Sequence, residues 1–488
     1  MARDVGILSS GAYIPRRRLQ RSVVYEANKW FAPGLKGLAK GQKSVANWDE
    51  DTITMAVEAA RDCLGEISRD AVEALSLVST TLPFADRLNA GIAKEALNLS
   101  DHVSATDAGG SLRAATSDLM QALATRQTRL CMAADTRKAR PASEGELMLG
   151  DAGAAVLVGE GNIIAKYLGG HTITQDFVDH YRESGEEFDY SWESRWIRDE
   201  GQVPIIAEAI NGAMADLSLS VSEFDHVLIA APMKVVPKPL LKVTGLSADV
   251  IAPMLFEETG YVGTAHPLLM LARTLEIAKP GEKIMLVTFG QGADVLVFEV
   301  TDANAARKTK IGFSGWLANG EPDENYNRYL FHRGLLDLDK GMRAEHDEKQ
   351  PGTTLARDRK TVLGLVGGKC SKTGVVQFPK TDISVAQNKR SVGTQEDYPF
   401  ADRLATIVTY TADRLTFSLD PPLYYGMLDF EGGGRMIAEF TDIDPADVEV
   451  GRDMRMAFRI KSKDDKRKFT KYFWKAVPDR SPSGTGAS

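Results

Sequence analysis

The chain has 488 residues, enough for about three domains when a domain averages roughly 150 residues. Hydrophobic residues make up 43% of it and charged residues 26%, a globular composition that excludes disorder as the main state. The formal net charge of −8 argues against a general nucleic-acid-binding protein, because no excess positive charge is available to displace counterions from phosphates.

Cysteine content and hydropathy limit the setting in which the chain works. Cys63, Cys131 and Cys370 are too few for a disulfide framework or a four-thiolate zinc site. Residues 1–6 lack the charged-then-apolar layout of a signal peptide, and no apolar run approaches the roughly 18 residues of a membrane helix. We therefore expect a cytoplasmic protein with no membrane segment.

The first strong elements in chain order are two helices. Asp51 begins a helix whose apolar residues between 56 and 64 fall at helical spacing, and an acidic residue at this end suits the helix dipole. The second helix covers about 111–124 and follows the glycine-containing stretch Asp107–Ser111. We expect flexible backbone close to the amino end of this second helix.

A pattern of helix, buried strand, glycine-rich turn and buried strand occurs twice, over 111–159 and over 265–298. The strands are short and wholly apolar, which is typical of a sheet covered on both faces. The repetition predicts a duplicated α/β domain over about 1–300, with halves over about 1–160 and 161–300.

The sequence changes character after residue 300. A polar, glycine- and proline-containing linker follows, with one or two short helices over 326–340. Short predicted strands then alternate with Asp, Gly and Pro, which favours a small barrel. These strands cover 361–365, 375–378, 404–410, 423–430, 436–440, 454–460 and 472–476. We expect the tail over 479–488 to be disordered.

The chain up to residue 300 resembles the thiolase superfamily, and within it the 3-hydroxy-3-methylglutaryl-CoA synthase-like branch. The stretches that carry the resemblance are Gly6–Pro15, Asp49–Ala60, Asp135–Arg137 with Gly150-Asp151, and Phe289–Gly292. The resemblance implies an α/β fold in which the duplicated domain forms αβαβα layers, and a homodimer made through this domain.

Residues 325–478 resemble the acyl-CoA-associated OB-fold proteins of the DUF35 type that partner such enzymes. The matching pieces are Asp420-Pro421-Pro422 and Glu431–Arg435. This resemblance implies a linker with a helical hairpin over 301–360, followed by a ribbon and a small OB-type β-barrel over 361–478.

The predicted ribbon is degenerate. Related OB-fold proteins carry two Cys-x-x-Cys pairs that hold zinc in tetrahedral geometry. This chain keeps Cys370 and Gly374 but has Thr373 in the second position, and no cysteine follows. We expect no zinc.

The chain also lacks the four catalytic groups that the resemblance implies. Ser111 and Leu112 stand where the family has its cysteine nucleophile, and Ala230-Ala231-Pro232 replaces its His-x-Pro motif. Tyr261 replaces the family's asparagine, and Thr81 stands in the position of the synthase glutamate. Without a thiol at the helix start, we expect no acyl-cysteine intermediate.

Other side chains are candidates for the chemistry, and each has a structural alternative. Tyr261 is a candidate proton donor or a packed core residue, and His266 is a candidate general base or a structural histidine. Ser111 is a candidate nucleophile, although a helix N-cap is the favoured interpretation. Arg113 would bind a carboxylate or thioester oxygen, or would form a buried ion pair.

Coenzyme A or an acyl-CoA is the expected substrate. Lys234, Lys238 and Lys242 are spaced four residues apart and would line one face of a helix, in a region that contacts coenzyme A in the family. A solvated face is the alternative. Gly290 and Gly292 would shape the floor of the same site.

The leading hypothesis is a CoA-dependent catabolic enzyme, a lyase or acyltransferase, that cleaves or forms a carbon–carbon bond in a β-oxo or β-hydroxy acyl substrate. The reaction would be of retro-Claisen or retro-aldol type, without a cysteine acyl-enzyme. The alternative is a catalytically inactive thiolase-like scaffold that binds acyl-CoA for a partner enzyme. A third hypothesis keeps synthase-type condensation with Ser111 as the nucleophile.

Overall fold

The computed structural model describes residues 4–306, 311–345, 352–386 and 391–480. The chain divides into two compact units. Unit 1 comprises Met1–Asn47, Asp51–Gly91 and Ser100–Arg333, and unit 2 comprises Trp48–Glu50, Ile92–Leu99 and Gly334–Ser488. Most of the predicted disordered tail, 481–488, lies outside the described residues.

The helices and strands up to residue 333 alternate along the chain. The helices are α1 (Arg21–Asn28), α2 (Thr52–Leu64), α3 (Asn89–Ala96), α4 (Ala114–Thr125), α5 (Glu144–Met148), α6 (Ser194–Trp196), α7 (Val203–Leu217), α8 (Lys238–Thr244), α9 (His266–Ile277), α10 (Gly312–Ala318) and α11 (Tyr326–His332). The strands are β1 (Gly6–Tyr13), β2 (Arg17–Gln20), β3 (Gln42–Val45), β4 (Ala74–Val78), β5 (Ser104–Ala108), β6 (Arg129–Asp135), β7 (Ala152–Gly159), β8 (Ala165–Thr174), β9 (His180–Tyr181), β10 (Tyr190–Ser191), β11 (His226–Ala230), β12 (Lys283–Phe289), β13 (Gly292–Val300) and β14 (Glu321–Asp323).

A nine-stranded sheet in the order β11-β12-β13-β8-β1-β7-β6-β4-β5 forms the core of unit 1. Its two halves repeat the same pairings. In the first half β4 is parallel to β6, and β7 is antiparallel to both β6 and β1. In the second half β11 is parallel to β12, and β13 is antiparallel to both β12 and β8. Two residue pairs between β1 and β8 join the halves. The predicted duplication is confirmed.

The helices of unit 1 lie in layers around these strands. α4 and α9 contact each other and strands of both halves, whereas α2 packs on β1, β6 and β7, and α7 packs on β8, β12 and β13. Almost every residue of β6, β7, β12 and β13 is buried, as expected for strands covered on both faces. The predicted αβαβα arrangement is confirmed.

The start of α2 shows how the local sequence sets an element. Asp51 is its N-cap: the Asp51 carboxylate accepts a hydrogen bond from Thr54 N at 3.0 Å, and Thr54 Oγ1 accepts one from Asp51 N at 2.8 Å. This reciprocal pair satisfies two amides that the first helical turn leaves without partners. The predicted helix start at Asp51 is confirmed.

Unit 2 contains two short helices, a small sheet and a barrel. The helices are α12 (Gly352–Arg357) and α13 (Arg359–Leu363). The strands are β15 (Val366–Cys370), β16 (Val376–Gln377), β17 (Gln395–Pro399), β18 (Ala405–Asp413), β19 (Leu423–Phe430), β20 (Arg435–Phe440), β21 (Asp453–Asp464) and β22 (Phe469–Pro478). The sheet has the order β16-β15-β17, and the barrel closes in the order β18-β19-β20-β22-β21. The predicted small barrel is confirmed.

One predicted strand is wrong. The stretch 361–365 is mostly helical, because α13 runs to Leu363 and the strand begins only at Val366. A short apolar run does not distinguish a strand from a buried helical turn. Packing decides the outcome here, since α13 contacts β22 and Trp474 Nε1 donates a hydrogen bond to Leu363 O at 2.7 Å.

Within the described ranges, no helix combines the length and the hydropathy that crossing a membrane requires.

Candidate functional site

A cavity of about 590 Å³ opens in unit 1 where β4 and β5 end and α4 begins. The hairpin of β9 and β10 and the turn between β12 and β13 form other parts of its wall. Its lining residues are Ser79, Thr80, Leu82, Phe84, Ala85, Asp107, Ala108, Gly109, Gly110, Ser111, Leu112, Arg137, His180, Tyr181, Arg182, Asp189 and Gln291. The residues carried by the ends of neighbouring strands and by a helix start thus converge on one space.

The cavity wall offers no thiol among the described residues. Ser111 and Leu112, which stand where the resemblance implies a cysteine, both line the cavity just before α4. Cys63 lies buried on α2, and Cys131 lies buried on β6, where burial raises the pKa of its thiol. Cys370 belongs to unit 2.

Ser111 lines the cavity but is not the N-cap of α4, so the predicted N-cap is wrong; Arg113 occupies that position. Ser111 Oγ donates a hydrogen bond to Gly290 O at 2.8 Å, and no hydrogen bond among the described residues joins it to a histidine. A serine hydroxyl needs an adjacent base to become a nucleophile. The geometry therefore disfavours Ser111 as a nucleophile.

Arg113 forms the buried ion pair that was one of its two predicted roles. Its guanidinium lies 2.6 Å from the wholly buried Asp294 and also donates to Gly290 O at 3.0 Å and Thr174 Oγ1 at 2.7 Å. Thr116 and Ser117 donate to the other Asp294 oxygen. These bonds fix the start of α4 against the turn between β12 and β13.

Gly290 and Gly292 allow that close approach. A Cβ added at Gly290 would lie 2.8 Å from Ser111 Oγ and 2.9 Å from Arg113 N. One added at Gly292, where φ is 120°, would lie 2.0 Å from Ile173 O. Neither glycine is itself among the lining residues, but Gln291 between them is.

Asp135, at the end of β6, binds residues of the cavity wall without lining the cavity itself. This wholly buried carboxylate accepts hydrogen bonds from Ser79 Oγ (2.6 Å), Thr80 N (2.8 Å), Thr81 Oγ1 (3.1 Å) and Thr264 N (2.7 Å). It therefore ties the end of β4 to the segment before α9. Charge-assisted bonds of this kind are the strong class of hydrogen bond.

Thr81, a predicted catalytic residue, belongs to this buried network and does not line the cavity. Its hydroxyl lies 2.9 Å from Thr52 Oγ1, and it accepts a hydrogen bond from Thr136 N at 2.9 Å in addition to its bond to Asp135. These partners use its hydrogen-bonding capacity for structure.

Two arginines share one carboxylate on the cavity wall. Arg137 Nη2 lies 2.5 Å from Asp189 Oδ2, and Arg182 Nη1 lies 3.1 Å from Asp189 Oδ1. Both arginines also donate to Thr80, Arg137 to its hydroxyl at 2.8 Å and Arg182 to its carbonyl oxygen. The pairs join the hairpin of β9 and β10 to the end of β4.

Tyr261 and His266 lie against each other, with ring centroids 4.6 Å apart, and neither lines the cavity. Both side chains are buried. Burial raises the pKa of Tyr261 above its usual value, and the charges of Arg137, Asp179 and Asp135 act on the same phenol. The Tyr261 hydroxyl has no hydrogen-bond partner among the described residues.

Burial lowers the pKa of His266 to about 3, and the backbone of Met254 offsets only part of this shift. A general base works best when its pKa lies near the working pH. The predicted role of His266 as general base is therefore disfavoured, because its imidazole takes up a proton only in strong acid.

We expect replacement of His266 by phenylalanine to make the chain less sensitive to acid. The unfolded imidazole has a pKa near 6.5 and the folded one about 3, so between these values the unfolded chain binds the extra proton. Stability conferred by the neutral imidazole is thus lost as the pH falls through this window, with a slope of about 1.4 kcal/mol per pH unit. Urea unfolding at about pH 4.5 and 6.5 should show a slope smaller by this amount in His266→Phe.

The exposed His102 provides the matched control for this experiment. His102→Phe should keep the wild-type slope, because it removes a surface imidazole and leaves the buried His266 in place. An unchanged slope in His266→Phe would contradict the buried, neutral state of His266.

The three predicted lysines are all exposed, and none lines the cavity. Only Lys238 and Lys242 lie on α8, so the prediction of one helical face is wrong for Lys234. Pro237 is the N-cap of α8, and a proline disfavours helical backbone in the residue before it. Lys234 Nζ instead donates a hydrogen bond to Gly37 O at 3.0 Å.

Sequence reasoning missed several charged residues of the site. The stretch with Asp135 and Arg137 carries the family resemblance, but neither residue was predicted to belong to the site. Asp179, His180 and Asp189 lie in a polar segment without apolar periodicity. The adjacent Asp179-His180 pair was the available signal, since a carboxylate beside an imidazole is typical of proton-transfer sites. Among the described residues, no group of three or more His, Cys, Asp or Glu side chains is arranged to hold a metal ion.

Comparison with known proteins supports the fold of unit 1 and the barrel of unit 2. A solved structure of MvaS in complex with 3-hydroxy-3-methylglutaryl coenzyme A has a TM-score of 0.57 at 18% identity, covering 69% of this chain and 93% of MvaS. Residues 400–459 match the family model described as the C-terminal OB-fold domain of ChsH2. The predicted fold class is confirmed.

The hydroxymethylglutaryl-CoA synthase of Archaeoglobus fulgidus is 31% identical over 322 residues, which are 63% of this chain and 93% of that enzyme. The chain belongs to the hydroxymethylglutaryl-CoA synthase family. The family member from Thermococcus sibiricus is 29% identical over 350 residues, covering 69% of this chain and 98% of its own length. The predicted family, its fusion to an OB-fold domain and the prediction of a thiolase-superfamily enzyme are confirmed.

Membership of the hydroxymethylglutaryl-CoA synthase family gives the coarse activity, which is coenzyme A-dependent formation or cleavage of a carbon–carbon bond. The cavity of this family member combines a helix start and a histidine, but no thiol among its described lining residues.

Proposed function

We propose that the chain cleaves or forms a carbon–carbon bond in a β-oxo or β-hydroxy acyl-CoA without an acyl-cysteine intermediate. The observation that carries the proposal is a cavity wall with no thiol among its described residues: it has Ser111 and Leu112 where the resemblance implies the family nucleophile, and Cys63 and Cys131 lie buried elsewhere. An acyl group cannot be tethered to an alkyl side chain. The thioester must therefore react while it is held without a covalent bond.

The start of α4 supplies electrostatic stabilisation for such a reaction. The backbone N–H groups of Ser111 and Leu112 precede the first turn of α4 and have no hydrogen-bond partner among the described residues. Donors at a helix start, with the positive end of the helix dipole behind them, stabilise an oxygen that gains negative charge. A thioester carbonyl in the cavity would acquire such a charge as it becomes an enolate.

Coenzyme A is the proposed carrier of the acyl group. MvaS is a fold neighbour solved with 3-hydroxy-3-methylglutaryl coenzyme A. We assign phosphate contacts to Lys234, Lys238 and Lys242, whose exposed ammonium groups suit phosphates. We also propose that the chain is a cytoplasmic lyase or acyltransferase that works in catabolism. Its catalytic domain covers 1–300 and forms the dimer, and its OB-fold domain covers 361–478.

Tyr261 is the proposed proton donor. Burial keeps the Tyr261 phenol protonated. Its hydroxyl has no hydrogen-bond partner among the described residues, which is rare for a buried polar atom. We expect Tyr261→Phe to lower turnover by about 10²-fold while leaving the melting temperature unchanged or higher, since no hydrogen bond in the described chain is lost. Steady-state rates and thermal melts check this. A wild-type rate would remove Tyr261 from the reaction.

The proposed function is tested with the purified full chain, coenzyme A and panels of β-oxo and β-hydroxy acyl thioesters. Product should form with wild type and with Cys63→Ser and Cys131→Ser alike, and intact-mass spectrometry should find no acyl adduct. An adduct on either cysteine, or on Ser111, would contradict the cysteine-free reaction. Acyl-CoA binding without product from any substrate would favour the inactive scaffold.

A further inference from the structure

An aspartate–histidine pair lies at the cavity wall. His180, on β9, lines the cavity, and its Nδ1 lies 3.0 Å from Oδ1 of Asp179. The Asp179 side chain is 2% exposed and the His180 side chain 16% exposed, so the carboxylate is buried behind an imidazole that reaches the cavity. The charge of a carboxylate this close to Nδ1 favours a proton on that ring nitrogen and leaves Nε2 as the atom for proton transfer.

The carboxylate of this pair is itself held in place. Gln291 Nε2 donates a hydrogen bond to the carboxylate at Asp179 Oδ1 (3.2 Å), and Trp192 N holds the Asp179 backbone by donating to its carbonyl oxygen at 3.1 Å. Gln291 also lines the cavity, in the turn that packs against the start of α4. The His180 imidazole thus borders the same space as the amides of Ser111 and Leu112, which have no partner among the described residues.

The charged groups around His180 are already paired with one another. The charged residues that line the cavity with His180 are Arg137, Arg182, Asp189 and Asp107. Both arginines bind Asp189, and Asp107 accepts hydrogen bonds from the amides at the start of α3. His180 is also the only histidine among the described lining residues, whereas His266 lies outside the lining.

We propose that His180 is the general base and acid of the proposed reaction, with Asp179 as its positioning residue. This inference rests on the proposed function. With a β-hydroxy acyl thioester, His180 Nε2 takes the proton of the β-hydroxyl group as the bond between Cα and Cβ breaks. The C–O bond becomes a carbonyl, and the electron pair of the broken bond moves to the thioester as an enolate. The Tyr261 phenol, the proposed proton donor, then protonates Cα, and the imidazolium acts as the acid that restores the proton of the phenol, which leaves an acyl-CoA and a carbonyl compound.

His180→Gln tests the assignment, with His226→Gln as its matched control. His226 also pairs with a carboxylate in unit 1, at 2.9 Å from Glu282, but lies outside the cavity lining. We expect His180→Gln to lower kcat by about 10²–10⁴-fold at an unchanged melting temperature, and His226→Gln to keep wild-type turnover. Imidazole added to His180→Ala should restore part of the lost rate.

The pH profile separates a catalytic from a structural role. Wild-type kcat/KM should fall at low pH with the uptake of one proton, and His180→Gln should lose this acid limb. Asp179→Asn should lower kcat and leave KM within about twofold, because a residue that positions the base acts on proton transfer and not on substrate binding.

The outcomes for His180 and for the proposed function are distinct. Near-wild-type turnover or an unchanged acid limb in His180→Gln would overturn the role of His180 and leave the proposed function standing. No product from the wild-type chain with any substrate would overturn the proposed function and, with it, this inference.

Discussion

Replacing Asp135 with asparagine should lower the free energy of unfolding by about 3–5 kcal/mol, the cost typical of breaking a buried charged network from one side. Oδ1 of Asp135 accepts from Ser79, Thr80 and Thr81, and Oδ2 accepts from Thr264 N. An asparagine offers one accepting oxygen and one NH₂ group. Either orientation of the amide points N–H donors at N–H or O–H donors.

The expected shift for Asp135→Asn is a melting temperature lower by roughly 6–20 °C. Asp176→Asn is the matched control, because Asp176 is an exposed aspartate of the same unit. Its effect should stay within about 0.5 kcal/mol. A shift for Asp135→Asn no larger than that of the control would show that the network around Asp135 does not stabilise unit 1.

The sequence was informative where burial and local chemistry determine structure together. The strands β6, β7, β12 and β13 are buried on both faces, so they are apolar without interruption and were recognisable as repeated units. The barrel strand β19 matches its predicted range 423–430, because residues that favour turns lie on both sides of it.

The candidate site was harder to predict, since its partners come from distant parts of the chain. Thr264 lies 129 residues from Asp135, and Gln291 lies 112 residues from Asp179. No local pattern announces such a pair. The resemblance directed attention to Ser111 and Thr81 by position, but their hydroxyls are used in structural hydrogen bonds.

The proton-transfer groups could not be ranked from the sequence, because their surroundings form only in the folded chain. His266 lies at the start of a helix and was predicted as a candidate general base. Its pKa is set by burial, which is a property of the folded chain. His180 lies in a polar hairpin that gave no helix or strand pattern. Its position on the cavity wall follows from the pairing of β9 with β10, where His180 pairs with Ser191.

Replacing Arg459 with methionine should destabilise unit 2 by about 3–5 kcal/mol. The Arg459 side chain, on β21, is 1% exposed and lies 3.1 Å from Glu50 and 2.9 Å from Asp442. Asp49, also buried, lies 3.9 Å away and is paired with Lys475 at 3.1 Å. Methionine fills similar space but supplies no charge, so the carboxylates lose their guanidinium partner while burial still denies them water.

Thermal melts of Arg459→Met and of the control Arg414→Met measure this loss. Arg414 is an exposed arginine of the same unit, and its replacement should change stability by at most about 0.5 kcal/mol. A double variant, Arg459→Met with Asp442→Asn, should lose less than the sum of the two single variants, because each single change strands the partner's charge and the double change removes both. Additive losses, or a loss in Arg459→Met as small as that of the control, would contradict a stabilising ion cluster around Arg459.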